Sequence, residues 1–198
     1  MKTHMKWVVL AAALIFLAAS VGTVCAQQRD QMQQSQQQQV GRDTGAGNQN
    51  IYDILKTQHN KTKDLLSKVG DSKDPQKSAQ LMAQLRSTLI PHMKAEERTF
   101  YPALEKSDRT RSLALQAEKE HKAAEKILND MAQMKGNDSA WQASYNMLNQ
   151  SVRNHIRNEE GPLFGAAKKV LNDQQARQIA QQYVTVERQV ASQMMASK

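Results

Sequence analysis

Hydrophobic residues recur at alternating steps of three and four from Ile51 onward, which is the spacing of one face of an α-helix. The pattern stops at Gly70, near Pro102, at Gly136 and around Gly161, so four amphipathic helices are predicted. Four such helices with short connections are typical of an up-down-up-down bundle. The expected fold class is therefore all-α.

Local signals support the helix starts and add a fifth element. Pro75 suits the first turn of the second helix, Asp108 opens the third, and Ser139 is expected to cap the fourth. A fifth, less apolar helix is predicted from about Asp173 to Met195. We expect it to lie against the bundle, and the alternative is that it pairs with a partner. Its hydrophobic side is formed by Ile179, Tyr183, Val186 and Val190.

Each bundle helix carries one histidine on the same face as its hydrophobic stripe. His59 and His121 lie 62 residues apart, and His92 and His155 lie 63 apart. The second histidine of each half begins a His-x-x-x-Glu motif, and the two glutamates are also 63 residues apart. Residues i and i+4 share a helix face, so each half can direct two histidines and a carboxylate to one point. The candidate metal ligands are His59, His92, Glu96, His121, His155 and Glu159.

This set of side chains suits a pair of transition-metal ions. Imidazoles bind iron, zinc, copper and nickel, and carboxylates can bridge two ions. Facing helices of a bundle are where carboxylate-rich di-metal sites are built. A single inward histidine is usually a hydrogen-bonded core residue, but one on every helix indicates a shared site. A metal-free protein with structural histidines is the alternative.

The N-terminal segment has the pattern of a secretory signal peptide over residues 1–26. Two lysines precede an apolar run that ends near Ala19, which is shorter than the about 20 residues of a membrane-spanning helix. Cleavage after Ala26 would give an exported, periplasmic or secreted chain without cysteine and without stable membrane insertion. Lipoprotein anchoring through Cys25 is less favoured, because a lipoprotein signal has Gly, Ala or Ser before the cysteine and this chain has Val24.

The remaining chain divides by composition. Residues 27–50 contain ten glutamines and almost no large apolar side chain, so they are expected to form a disordered tether. Residues 51–165 form the predicted bundle, and residues 166–198 form a C-terminal helical extension. Eight glycines and four prolines leave few turns for an all-β fold.

The positive net charge does not indicate a binding partner. The chain has 27 Lys and Arg against 19 Asp and Glu, a formal charge of +8, but its basic residues are scattered. No run of five basic residues occurs and no aromatic residues interleave with them, so no nucleic-acid partner is expected. Nothing in the pattern identifies a protein partner.

The complete ligand pattern resembles the hemerythrin-like (HHE cation-binding) family. The resemblance covers roughly residues 51–165 and extends to the residues that flank the histidines and glutamates. These flanking segments are residues 51–55, 96–102, 120–121 and 159–164.

The resemblance implies a four-helix bundle with two iron ions (Fe2+/Fe3+), joined by an oxo or hydroxo bridge. Members of the family bind oxygen, sense iron or oxygen, or help repair iron centres. Carried over by position, the four histidines would be terminal ligands, and Glu96 and Glu159 would bridge the two ions. The expected partner is a small diatomic molecule or peroxide.

The sequence differs from two groups within the family, the oxygen carriers and the repair proteins, and this makes both of those functions less favoured. Oxygen carriers have a fifth histidine four residues after the one that matches His121, where this chain has Glu125. They also carry His-x-x-x-x-Asp on the fourth helix, where this chain offers Glu159 and Glu160. The repair proteins share the six-ligand set but carry a small cysteine-containing N-terminal domain and work in the cytosol, whereas this chain has a predicted signal peptide and a Gln-rich tether. These differences favour an exported di-iron protein that interacts with oxygen, nitric oxide, peroxide or iron, in binding, sensing or stress protection.

Two alternatives belong to other classes. One is a di-iron peroxidase or oxidase, with Tyr101 as a redox-active neighbour just beyond the Glu96 turn. The other is a metal-free exported helical adaptor. The pattern favours a protein that is not an enzyme, and it leaves open whether Glu125 or Glu160 also binds metal.

Overall fold

The structure is a computed structural model that describes residues 49–134 and 138–196. All regular elements within these ranges are helical, so the all-α prediction is confirmed. The predicted signal peptide, nearly all of the predicted tether and Gly136 lie outside the described residues. No helix within the described ranges is both long and apolar enough to span a bilayer.

Four long helices form the bundle, and three shorter segments and a C-terminal helix complete the described residues. In chain order they are α1 (Ile51–Asp71), α2 (Pro75–Arg98), α3 (Phe100–Leu104), α4 (Asp108–Met131), α5 (Ser139–Asn158), a π-helical turn (Glu159–Leu163), α6 (Phe164–Ala167) and α7 (Asp173–Ala196).

The helix starts follow the sequence signals with one correction. Pro75 begins α2 after Asp74, whose side chain accepts a hydrogen bond from the Gln76 amide at 2.8 Å. The predicted cap of α5 at Ser139 is wrong by one residue. Asp138 is the N-cap, because its carboxylate accepts the Trp141 amide at 2.7 Å, and a carboxylate at this position also stabilises the helix dipole.

Two helix ends also differ from the sequence prediction. The second helix was expected to end near Pro102, but α2 ends at Arg98 and a separate helix, α3, follows. Thr99 separates them with φ −132° and ψ −57°, and its hydroxyl donates to the Ala95 carbonyl at 2.7 Å. The fourth helix was expected to end around Gly161 and Pro162. Instead it widens into the π-helical turn and continues as α6.

The bundle interior contains two hydrophobic clusters with a polar layer between them. The first core cluster includes Tyr52, Leu55, Ala95, Phe100, Ala117 and Phe164. The second core cluster includes Leu66, Leu85, Leu128, Trp141, Tyr145 and Leu148. Helices α1 and α4 run from the first cluster to the second, while α2 and α5 run back. This alternation is the predicted up-down-up-down topology, and each helix places its histidine where the two clusters meet.

Helix α7 packs on the bundle, as predicted. It lies mainly against α2 and also against α1. Ala176, Ile179, Ala180 and Tyr183 belong to the first core cluster, so the C-terminal helix is part of the hydrophobic interior. Its placement brings Tyr183 into the polar layer.

Candidate metal centre

The structure brings all six predicted ligands together in the polar layer. Each bundle helix contributes one histidine, α2 adds Glu96, and the first residue of the π-helical turn adds Glu159. All six are buried, with exposed fractions between 0% and 5%. Such burial of two carboxyl groups and four imidazoles is costly unless they are paired or bind an ion.

The histidines form two pairs, one from each half of the chain. The first histidine pair is His59 and His92, with ring centroids 5.1 Å apart. The second histidine pair is His121 and His155, with centroids 4.5 Å apart and Nε2 atoms 3.1 Å apart. Two nitrogens that bind one ion at right angles at about 2.1 Å are themselves about 3 Å apart, so this second spacing fits a shared cation.

Each glutamate contacts both histidine pairs. Glu96 Oε2 lies 3.2 Å from Nε2 of His92 and 3.4 Å from Nε2 of His121. Glu159 Oε2 lies 3.1 Å from Nε2 of His59 and 3.6 Å from Nε2 of His155. Each carboxylate can therefore share a metal site with histidines of both pairs.

Three combinations of these side chains can hold a metal ion. In each, one ligand atom per residue lies within 4.8 Å of the others. Glu96 occurs with the first histidine pair in one combination and with the second pair in another, and Glu159 joins one histidine of each pair in the third.

The outward nitrogen of each histidine has its own partner. His59 Nδ1 lies 2.9 Å from a Glu160 oxygen, two other histidines also contact carboxylates, and the fourth contacts a phenol. These partners are Glu97 for His121 at 3.3 Å, Glu120 for His155 at 3.0 Å, and Tyr183 for His92 at 2.7 Å. The three carboxylates can only accept a hydrogen bond, so they fix a proton at Nδ1 and leave Nε2 of those histidines free to bind a metal.

In two places, consecutive glutamates supply one carboxylate that faces the interior and one that contacts the outward nitrogen of a histidine. Glu96 faces the interior while Glu97 reaches His121 Nδ1, and Glu159 faces the interior while Glu160 reaches His59 Nδ1. The second pair of glutamates opens the π-helical turn. Such turns are frequent at functional sites, because one extra residue per turn redirects the neighbouring side chains.

Buried atoms without hydrogen bonds show that the centre fits a cation. His59 Nε2, both oxygens of Glu96 and Glu159 Oε2 form no hydrogen bond with a described residue, although some lie close to one another. A buried polar atom left unsatisfied costs about 1–3 kcal/mol. A cation among these atoms would satisfy imidazole and carboxylate lone pairs together, and both donor types suit iron.

The pKa values reflect this crowding. Burial lowers the pKa of His121 to about 4, and burial together with the charge of His59 holds the pKa of His92 well below its usual range. Burial and the nearby Glu159 raise the pKa of Glu96. Burial acts in the same direction on Glu159, but contacts with His59 and His155 outweigh it and lower its pKa. In the absence of metal, His92 and His121 are therefore neutral, and Glu96 holds a proton more readily than Glu159 does.

The hydroxyl group of Tyr101 contacts atoms that face the interior of the centre. Its hydroxyl donates to Glu159 Oε1 at 3.0 Å and lies 3.2 Å from His121 Nε2. Burial and the charges of Glu159 and Glu96 raise the pKa of Tyr101 well above its usual range. Its phenol therefore keeps its proton at neutral pH.

The position of Glu125 answers a question left open by the sequence. Its carboxylate lies 2.8 Å from Lys94 Nζ on the bundle surface, and Lys94 also pairs with Glu97 at 3.0 Å. Glu160 contacts the outward nitrogen of His59. Neither Glu125 nor Glu160 is among the groupings of ligand atoms that can hold an ion.

Sequence reasoning missed the partners of the outward nitrogens. Glu97 and Glu160 could have been found, since each directly follows a predicted ligand, and Glu120 directly precedes one. Tyr183 gave no such signal, because it lies on a helix that was expected only to pack against the bundle.

Known proteins are similar to this chain in sequence or in fold. A curated relative, a DNA nickase from Nostoc sp. (strain PCC 7120 / SAG 25.82 / UTEX 2576), is 27% identical over 139 residues. That alignment covers 68% of this chain and 38% of the relative, so the chain spans well under half of its length. A solved structure, a hemerythrin HHE cation binding domain-containing protein from Mycobacterium kansasii, has a similar fold with a TM-score of 0.66. It is 20% identical, and the match covers 75% of this chain and 91% of the other.

The family model for the hemerythrin HHE cation binding domain matches residues 50–167, more than half of the chain. The matched residues contain the four histidines and the two inward glutamates of the candidate metal centre, and they end before α7 begins. The chain therefore belongs to the hemerythrin HHE cation-binding family.

Proposed function

We propose that this chain is an exported non-haem di-iron protein that interacts with oxygen, nitric oxide, peroxide or iron itself. One iron is held by the first histidine pair and the other by the second, with Glu96 and Glu159 as bridging carboxylates. The observation that carries the proposal is the convergence of four buried Nε2 atoms on two buried carboxylates.

The partners at the outward nitrogens support metal binding over a structural role for the histidines. A structural histidine needs one or two hydrogen bonds and no particular direction. Here all four rings have a partner at Nδ1 and turn Nε2 to the same interior point. That common orientation is what metal-ligating histidines require.

Iron would supply one-electron redox chemistry with a small molecule when bound. The protein's own residues orient the ligands, exclude water and hold protons. The two hydrophobic core clusters enclose the centre on both sides. The Tyr101 hydroxyl oxygen lies 3.0 Å from Glu159 Oε1 and donates a hydrogen bond to it.

The number of protein ligands indicates reaction with a small molecule in preference to reversible oxygen storage. Two histidines and two shared carboxylates give each ion four protein donors, which leaves open positions on both. A fifth histidine would fill one of them, but the corresponding residue, Glu125, pairs with Lys94 on the surface. With both ions open, we expect oxygen to oxidise the reduced protein.

Mixing the anaerobically reduced, iron-loaded protein with oxygen in a stopped-flow spectrometer tests this function. The expected result is oxidation to the ferric state, with no return of the ferrous spectrum when oxygen is removed. Recovery of the ferrous state on removing oxygen would instead show an oxygen carrier. A Glu125→His variant is the matched comparison, since it places the missing histidine at the position used by carriers.

A di-iron peroxidase or oxidase is the second candidate, and the position of Tyr101 favours it. Its phenol contacts both an inner carboxylate and an inner imidazole, which places a potential hydrogen donor beside the centre. Multiple turnovers of hydrogen peroxide by wild-type protein, reduced at least tenfold in Tyr101→Phe, would establish this activity. A rate equal to that of free iron would rule it out.

Export is part of the proposal because of the pattern in residues 1–26. The apolar run after two lysines, followed by small residues, supports a cleaved leader and a periplasmic or secreted protein. The nicking activity in the name of the Nostoc relative is not carried over, since this chain matches 38% of that protein. Export is tested by expressing the full chain in bacteria and sequencing the N-terminus of the protein found outside the cytoplasm. A mature chain that begins at Gln27 would support export.

A further inference from the structure

The hydrogen-bond partners of the four histidines are not equivalent. Three outward nitrogens face carboxylates, while His92 Nδ1 faces the neutral phenol of Tyr183 at 2.7 Å. The second histidine pair thus has two carboxylate partners, Glu97 and Glu120. The first histidine pair has one carboxylate and one phenol.

The internal repeat of the chain shows where the symmetry is lost. Glu97 and Glu160 occupy matching positions in the two halves and reach the first-helix histidine of the opposite half. Glu120 precedes His121 and serves His155. The residue that matches Glu120 in the first half is Gln58, whose amide carries no charge. The hydrogen-bond partner of His92 Nδ1 is instead Tyr183, which lies outside the two repeated halves.

Tyr183 reaches His92 because α7 packs against α2. Its side chain is fully buried, and its ring meets the His92 ring edge-on, with centroids 6.1 Å apart. Helix α7 lies beyond the residues matched by the family model. The C-terminal extension therefore contributes a contact that the matched domain does not contain.

We propose that Tyr183 is a positioning residue for His92 that makes the two metal positions unequal. This inference rests on the proposed di-iron function. When the imidazole binds metal through Nε2, Nδ1 carries the proton and donates it to the Tyr183 oxygen. A phenol accepts this hydrogen bond more weakly than a carboxylate does, so His92 is a weaker electron donor than the carboxylate-supported histidines. The ion at the first histidine pair therefore dissociates before the ion at the second.

Release of ferrous iron to an excess of chelator under anaerobic conditions tests the inference on the full chain. Wild-type protein loaded with two Fe2+ should release them in two phases of equal amplitude. Tyr183→Phe removes one oxygen atom and should accelerate the fast phase about tenfold without changing the slow phase. Glu120→Gln weakens a partner of the second histidine pair and should accelerate only the slow phase.

Tyr145→Phe is the matched control for a lost buried hydroxyl. Tyr145 lies in the second core cluster, and its hydroxyl donates to the Leu66 carbonyl, away from the histidines. This variant should lower thermal stability and leave both release phases unchanged. The ferrous Mössbauer spectrum gives a second measurement, since Tyr183→Phe should alter one of two iron signals of equal area.

Two outcomes would overturn the inference alone. They are release of both ions in a single phase from wild-type protein, and equal acceleration of both phases by Tyr183→Phe, which a general loosening of the fold would cause. If wild-type protein binds no iron at all, the proposed function fails and the inference fails with it. Two ions bound and released together would leave the proposed function standing.

Discussion

Glu96 and Glu159 have the largest predicted effect of any single residues, since each touches both histidine pairs. Each carboxylate has one oxygen within 3.6 Å of a histidine Nε2 from either pair. Each histidine, in contrast, belongs to one pair. Removal of a carboxylate should therefore affect both ions, and removal of a histidine mainly one.

Alanine variants separate these two roles. Glu96→Ala should lose both irons together, giving close to zero per chain, while His59→Ala should retain about one. Glu125→Ala is the matched control, because this carboxylate pairs with Lys94 and should keep two irons. The measurement is iron per chain after anaerobic reconstitution and desalting. One iron retained by Glu96→Ala would contradict the bridging role.

The metal-free protein should lose stability as the pH falls from 6.5. His92 and His121 have lowered pKa values, about 4 for His121, so the unfolded chain takes up protons that the folded chain refuses. The raised pKa of Glu96 acts in the opposite direction, and the lowered pKa of Glu159 adds to the loss of stability only at the acid end of the range. Two histidines against one carboxyl leave a net uptake of about one proton on unfolding, or about 1.4 kcal/mol per pH unit at the steepest point.

Urea unfolding of the metal-free protein between pH 6.5 and 4.5 measures this slope. His121→Gln removes one of the two histidines, so its unfolding free energy should change less with pH than that of wild type. A wild-type stability that is constant or rises on acidification would show that these histidines are charged in the folded chain.

At the scale of elements, the close contact between α1 and α5 limits substitution near the end of α1. A Cβ atom added to Gly70 would lie 2.8 Å from the Tyr145 hydroxyl oxygen. That hydroxyl is held by its hydrogen bond to the Leu66 carbonyl. The glycine thus leaves room for a tyrosine that joins two helices.

Gly70→Ala should therefore destabilise the protein by about 1–3 kcal/mol, although alanine is the better helix former. In a Tyr145→Phe background the clash with oxygen is gone, and the same change should cost at least 1 kcal/mol less. The free energies of unfolding of wild type, the two single variants and the double variant, measured by chemical denaturation, give the comparison. Equal effects of Gly70→Ala in both backgrounds would exclude the hydroxyl as the cause.

Elements with a strong helical period could be predicted from the sequence, and the details set by docking could not. His121 was predicted on the hydrophobic face of its helix, and in α4 it is buried together with Ala114, Ala117, Ala124, Leu128 and Met131. The π-helical turn at Glu159 was missed, since one extra residue in a turn leaves almost no trace in periodicity. The role of Tyr183 was also missed, because its contact depends on how α7 docks and on no spacing within the chain.

Across the whole molecule, the centre lies between two hydrophobic core clusters built by the bundle and α7. Residues 27–49 contain no apolar periodicity that would add to either cluster. Removing them should leave iron content unchanged and the melting temperature within about one degree. A loss of several degrees would show that this segment contributes to the folded core.

Iron content measured together with the optical spectrum tests the central claim most directly. The protein, purified from an iron-supplied host or reconstituted anaerobically, should contain two irons per chain. After oxidation it should show the near-ultraviolet absorption of a bridged ferric pair, and Glu96→Ala should abolish it. One iron per chain, or none after reconstitution, would contradict the di-iron centre.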